Sequence, residues 1–358
     1  MRRSLPHPRP AAASLPLSLP PLPALPADVA LEVAVPCSSP FDAEGWRFSV
    51  DWDGTRVLLA AGAGGEVRLR DERRREVGDR FPEVIAEVAA ALGGHTAVVD
   101  GVLTVLDPRG RPDLEALSRR RAGEPGVAAV FIATDLLHLD GASLQQRPFE
   151  ERLQALERTV TGQPHVQVPE WVSGDGCALA EAATSQRLPA ILARQAGASY
   201  SAGVASPQRL RIALEDRADT VVTGVVRRPG GEVSALVLGE QYRGRLADAG
   251  SVAVHLPASV EGWLREQLGD LASVAPPCRC AVVPPGRVSW LQPELVATVR
   301  HSGRLAGGQL SHPELVALRD DRDPAWCVRR APLPPPAGEV LGRGFRPTVL
   351  SPLPFTQQ

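Results

Sequence analysis

From Arg47 to Ala61 apolar and polar positions alternate on either side of Asp53-Gly54, a period of two around a turn dipeptide that predicts a β-hairpin. Val67 to Arg70 predicts a further strand. Pro82 to Leu92 opens on proline and spaces its apolar residues at helical intervals, so a helix is expected there. Thr96 to Leu106 and Ala128 to Leu139 are β-rich runs, whereas Phe149, Leu153 and Leu156 lay one apolar stripe along a helix reaching Glu157. Beyond about residue 213 the pattern shortens. Strands are expected at Thr220 to Val226, Glu232 to Leu238 and Val252 to Leu256, the first two joined by the turn Arg228-Pro229-Gly230-Gly231. A helix over about Ser259 to Leu271 precedes strands at Cys280 to Val283 and Arg287 to Val299.

Interleaved strands and helices over 37–213 followed by many short strands with one inserted helix over 216–330 predict an α+β domain and then a small closed barrel such as an OB-fold. The length, 358 residues, suits two domains of this size. Residues 1–36 are rich in Pro, Ala and Leu without either periodicity and are expected to be a disordered tail, as are 331–358, which begin Ala331-Pro332 and carry Pro334, Pro335 and Pro336. Prolines at 6, 8, 10, 16, 20, 21, 23 and 26 interrupt any signal-peptide core, and no apolar run is long enough to span a bilayer. A cytoplasmic protein is expected. Its five cysteines are odd in number and scattered, and Cys278-Arg279-Cys280 lacks the spacer of common zinc sites, which points to reduced thiols.

The 39 basic residues are all arginine. With 35 proline and 33 glycine this fits a GC-rich coding bias, but its chemical consequence is independent of cause. Arginine stays protonated and its guanidinium is a poor nucleophile, so Schiff-base and lysyl-nucleotide chemistry and a P-loop lysine are excluded within this chain. The net charge of -2 and pI of about 6.4 give no global basic footprint for nucleic acid. Residues 216–330 hold 14 arginines against 13 acidic residues, so any DNA contact is local. The arginine runs at 73–75 and 119–121 could form a local patch, but charge runs more often read as solvated faces.

Five segments carry a family resemblance. Phe48-Ser49-Val50-Asp51-Trp52-Asp53-Gly54-Thr55-Arg56, Val99-Asp100-Gly101-Val102 and Asp135-Leu136-Leu137-His138-Leu139-Asp140-Gly141 come first. Ala193-Arg194 through Ser199-Tyr200-Ser201-Ala202-Gly203 with Gln208-Arg209-Leu210-Arg211-Ile212, and Val288-Ser289-Trp290 through Leu318-Arg319-Asp320-Asp321-Arg322-Asp323-Pro324, follow. In order and spacing they resemble the motifs of the ATP-dependent DNA ligases, particularly the compact bacterial ligase domains, over about Val29 to Arg330. The resemblance implies an adenylation (nucleotidyltransferase) domain followed by an OB-fold, ATP and Mg as cofactors, and nicked or broken double-stranded DNA as partner.

In that family a lysine of the first motif attacks the α-phosphate of ATP; here that position is Asp51, which cannot form a phosphoramidate. The resemblance further places Val102 and Leu188 where the family has metal-binding glutamates, Thr134 where an aromatic stacks on adenine, Arg211 and Ala213 at paired lysines, and Arg322 at the terminal lysine, a DNA or phosphate contact. No metal ligands remain, since neither Val nor Leu offers an oxygen. Asp53, Gly54, Arg56, Asp100 and Arg211 survive as a vestigial nucleotide site, Gly54 serving the turn through its freedom at positive φ. Tyr200 and Gly101 also survive. The implied protein belongs to the DNA repair and recombination class, is catalytically degenerate, and retains DNA-end or nick binding or contact with a repair protein. Two alternatives stay open: sealing of pre-adenylated nicks only, and a non-enzymatic interaction module whose proline-rich ends dock aromatic grooves.

Overall fold

The computed structural model describes residues 29–62, 64–124, 127–278, 284–329 and 335–336. Two sheets build the first part of the chain. One runs in the order Val33–Cys37, Ala205–Ala213, Ala190–Gln195, Trp46–Val50, Val172–Ser173, parallel only in its first pair. The other runs Val67–Asp71, Thr55–Ala61, Ala97–Thr104, Val130–Leu139, Ala142–Ser143, with Val166–Gln167 added in parallel to Val130–Leu139. The expected hairpin around Asp53-Gly54 is therefore not a hairpin: Trp46–Val50 and Thr55–Ala61 lie in different sheets, and the turn dipeptide carries the chain from one to the other. Period-two alternation predicts strands, not their partners.

Helices close the outer faces. Pro82–Ala91 starts on proline at its first turn with Glu83 beside it, favourable for the missing N–H and the helix dipole, and buries Val84, Val88 and Ala91. Phe149–Thr159 buries Phe149, Arg152, Leu153 and Leu156. Two helices went unpredicted. Leu114–Arg121 is capped by Asp113, whose side chain accepts from the Ala116 N–H, and Gly176–Ser185 packs Leu179, Ala180 and Ala183 into the core beneath the first sheet.

The remaining strands form an OB-like barrel. Arg217–Arg227 pairs with Val233–Tyr242 on one side and, on the other, with Val296–Arg300 along its first half and Arg287–Leu291 along its second. Arg245–Ala253 extends one edge and Glu314–Arg319 the other; the Leu310 N–H donates to the Ala249 carbonyl at 2.9 Å and draws these edges together. Ala258–Asp270 supplies Val260 and Leu264 to the barrel core. The run expected as one strand from Arg287 to Val299 is two strands, broken at Gln292–Glu294. The strand expected at Cys280 to Val283 lies outside the described residues.

The tail expected to reach residue 36 ends sooner. Val33–Cys37 is a strand, Leu31 and Glu32 are buried, and Val29 packs against Tyr200 and Leu137. A five-residue strand beside a proline-rich stretch is too short for composition to reveal. Most of both tails lies outside the described residues. Among the described residues no helix is long and apolar enough to cross a membrane.

Candidate functional site

Strand alternation opens a cleft of about 820 Å³ between the two sheets, with the barrel over its mouth. Along Ala205–Ala213, Leu210 and Ile212 enter the core while Arg209 and Arg211 face the cleft. Along Thr55–Ala61, Val57, Leu59 and Ala61 enter the core while Arg56, Leu58 and Ala60 face the cleft. Asp51, Asp53, Gly54, Val102 and Thr134 line it from the sheets, and Arg217, Asp219, Arg322 and Trp326 from the barrel side. The cleft thus gathers most of the residues singled out in the sequence.

Three cations of the cleft wall each meet a carboxylate. Arg211 Nε donates to Asp51 Oδ2 at 2.6 Å, Arg217 to Asp53 Oδ2 at 3.0 Å, and Arg322 to Glu72 Oε1 at 2.9 Å. Burial and the adjacent Asp51 push the Asp53 carboxyl above its usual range, against the pull of Arg319 and Arg211. Arg322, expected as a DNA or phosphate contact, stands in the cleft but is held internally by Glu72, with Asp219 Oδ2 at 3.6 Å.

Behind the floor lies a buried ionic network. Arg56 chelates Asp100 through Nε and Nη2 and also reaches the Glu32 carbonyl; Tyr200 donates to Asp100 at 3.0 Å. Arg152 chelates Asp135 at 2.8 and 2.9 Å, and Arg194 bridges Asp135 and Glu32. Asp100 is fully buried and organises this network; burial alone would raise its pKa, but Arg56 and Arg209 hold it below the usual carboxylate range. Four arginines face three carboxylates here, and Arg209 is the least satisfied: its contacts to Asp100 and the Glu32 carbonyl are 3.4 and 3.5 Å, and its Nε has no partner. Burial, with Arg56 and Arg194 nearby, pulls it down to about 10. Sequence reading missed this residue, although its period-two spacing from Arg211 was the available signal.

Several expected positions change. The two basic side chains facing the cleft from their strand are Arg209 and Arg211, whereas Ala213 is exposed and outside the lining. Leu188 packs in the core with Phe48 and Ile191 and does not face the cleft; Leu192 does. Gly54 is not at positive φ. It is glycine because a Cβ there would stand 2.3 Å from the Leu103 carbonyl oxygen, and Gly101 is confined likewise by the Phe131 ring at 2.4 Å. The arginine runs are not solvated faces: Arg121 is buried against Asp320 and Asp321, Arg120 binds Glu83, Arg73 binds Glu294 and Arg75 binds Asp71. Arg74 alone of the 73–75 run is exposed.

A divalent cation does not fit this donor set. Val102 and Leu192 carry no oxygen, Thr134 Oγ1 is spent on the Asp100 carbonyl, and the carboxylates of Asp51 and Asp53 are already neutralised by arginine. Arg211 is already paired with Asp51, so the cation nearest that position is not free for a triphosphate.

A family model described as ATP dependent DNA ligase domain matches residues 34–208, and a second, ATP dependent DNA ligase C terminal region, matches residues 229–322. The chain belongs to the ATP-dependent DNA ligase family. It is similar to the multifunctional non-homologous end joining protein LigD of Mycolicibacterium smegmatis, 30% identical over 80% of this chain and 38% of that protein. It is also similar to a probable DNA ligase of Streptomyces griseus, 29% identical over 82% of this chain and 58% of that one. The chain thus spans little more than a third of the LigD proteins it matches. Among solved structures it resembles a mycobacterial DNA ligase D complexed with ATP and MES, with TM-score 0.62 and 29% identity over 85% of this chain and 99% of that one. The α+β adenylation fold followed by an OB-like domain is that of the ligase family.

Proposed function

We propose that this ligase-family chain is a non-sealing protein of the DNA repair class, unable to adenylate itself, that engages nicked or broken duplex DNA through the ligase scaffold. The observation that carries the reading is Asp51, at the position of the nucleophilic lysine, bound to Arg211 at 2.6 Å. The carboxylate replaces the nucleophile, and its partner arginine is withdrawn from any phosphate. The chain contains no lysine to substitute for it. The same self-neutralisation at Asp53 with Arg217 and Glu72 with Arg322 supports loss of the ATP and Mg site, within an adenylation unit ending near residue 213 and a barrel beginning near 216.

DNA engagement is favoured by the family and by the rim of the cleft, where Arg68 and Arg74 are exposed and without an ion pair among the described residues. The test has two arms. Incubation with α-labelled ATP and a nicked duplex is expected to give neither labelled protein nor sealed product, and covalent label or sealing overturns the reading. A nicked duplex titrated across a salt series is expected to bind with affinity falling steeply as salt rises; absence of binding at low salt refutes the DNA role.

A further inference from the structure

We propose that the barrel carries a stacking site for an unpaired nucleic-acid strand at the hairpin Tyr242 to Arg245, beside the mouth of the cleft. Tyr242 is 39% exposed, and the guanidinium carbons of Arg243 and Arg329 each lie 5.2 Å from its ring centroid. The two-residue turn has Arg243 at φ 50° and Gly244 at φ 75°, both left-handed, the geometry that matches strand twist and fixes Tyr242 opposite Arg245. An aromatic ring on so tight a turn loses little freedom when something stacks on it.

The hairpin is tied to the cleft. The Gln241 N–H donates to the Cys327 carbonyl at 2.7 Å and the Arg329 N–H to the Gln241 carbonyl at 2.9 Å. The residue before Cys327 is Trp326, which is 38% exposed and lines the cleft. Two exposed aromatics therefore flank one short backbone ladder that runs from the cleft mouth to the hairpin tip.

Charge complementarity selects the occupant. Arg243 and Arg245 are exposed and carry no ion pair among the described residues, while Arg304 and Arg329 share the single buried carboxylate of Glu240. With Asp248 counted, the cluster keeps a surplus of two positive charges on a chain whose net charge is -2. A base that stacks on the ring takes the place of a guanidinium now over it and frees that cation for a phosphate, the combination that holds single strands without sequence preference. Paired bases keep their faces stacked inside the duplex, so the site selects an overhang, flap or frayed end.

This inference rests on the proposed DNA role only for the class of ligand, and the test separates the two. The intact chain is titrated by fluorescence anisotropy with a labelled single-stranded oligonucleotide, a blunt duplex and the same duplex bearing an overhang, with DNA and RNA versions of the single strand. The single strand and the overhang duplex are expected to bind more tightly than the blunt duplex. Tyr242→Ala is expected to weaken the single strand at least five-fold while leaving the blunt duplex unchanged, Tyr242→Phe to retain binding, and Arg243→Ala to flatten the salt slope. Unchanged single-strand affinity in Tyr242→Ala overturns the site. Blunt-duplex binding with no gain from an overhang refutes the stacking site and leaves the duplex role standing; Tyr242-dependent single-strand binding without duplex binding does the reverse. Because Tyr242 and Arg243 are exposed turn residues, the variants are expected to melt at the wild-type temperature, and a lowered one directs the test to Tyr242→Phe against Tyr242→Leu, both of which keep a sizeable apolar side chain and differ in the aromatic face.

Discussion

Arg211 Nε donates to Asp51 Oδ2 at 2.6 Å, and the two side chains meet across the intervening strand Ala190–Gln195 on the floor of the cleft. A lysine restored at position 51 would face Arg211 with the Asp51 carboxylate gone, leaving Arg211 only the weaker pull of Asp53 and Asp219. Asp51→Lys is therefore expected to take up no label from α-labelled ATP, because Val102 still offers no metal ligand. It is also expected to melt roughly 2–8 °C lower through repulsion of about 1–4 kcal/mol. Label on the variant would show that the rest of the site is competent and that Asp51 alone silences it.

Arg152 and Arg209 belong to the same buried network but differ in how they are matched. Arg152 is fully buried, donates to both oxygens of Asp135 and also reaches the Arg147 and Ala198 carbonyls, so Arg152→Met leaves Asp135 to Arg194 alone, strips two carbonyls of their donor and is expected to cost about 3–5 kcal/mol. Arg209 is the surplus cation, with long contacts and an orphan Nε, so Arg209→Met is expected to stay within about 1 kcal/mol of the wild type. Urea unfolding of both variants measures the difference; equal costs would show that Arg209 is as well paired as Arg152.

These residues also show how far sequence reads into structure. The helices Pro82–Ala91 and Phe149–Thr159 were legible because proline and an apolar stripe are local signals. Pairing is not local. Alternation around Asp53-Gly54 gave two strands correctly but joined them as a hairpin, when the chain there leaves one sheet for the other. The site was legible as motif positions, yet the partners were not. That Arg121 would lie buried against Asp320 and Asp321, some 200 residues onward, leaves no trace in the run Arg119 to Arg121 beyond its charge. Leu188 fits a motif by spacing, but only the fold shows it turned into the core.

Gly54 sits against the Leu103 carbonyl with no room for a methyl group. Its carbonyl also accepts from Arg319 of the barrel, so displacement of Gly54 is transmitted to the interface between the two units. Gly54→Ala is expected to cost at least about 1–3 kcal/mol from overpacking, read as a lower urea midpoint with unchanged slope. A positive-φ role would instead make Gly54→Asn tolerated. The close approach predicts that Asn is worse than Ala.

Asp321 joins the barrel to the first unit through Arg121 at 2.6 Å and is chelated by Arg319, two residues before it at the end of a barrel strand. Burial would raise its pKa, but the two guanidiniums hold it far below the carboxylate range; Asp100 is held low by Arg56 and Arg209. A carboxylate lowered on folding contributes stability that is full above its unfolded value, near pH 4, and is lost as pH falls toward the folded value. Asp53, raised by burial, works in the opposite direction, but one raised group faces two lowered ones. His138 and His301 are held low by burial, so the unfolded chain takes up protons there first; urea unfolding is therefore expected to show stability slipping from about pH 6.5 and falling more steeply below about 4. Asp321→Asn is expected to cost about 3–5 kcal/mol at pH 7, because it leaves Arg121 and Arg319 without their shared anion, and to flatten the acid limb. Arg121 is the more exposed to this loss, since burial and the neighbouring Arg319, Arg80 and Arg75 already bring it down to about 10 despite Asp321. Limited proteolysis of Asp321→Asn at pH 7 is then expected to cut first between the two units, near residues 213–216. A first cut elsewhere would show that the ion cluster stabilises each unit internally and does not hold them together.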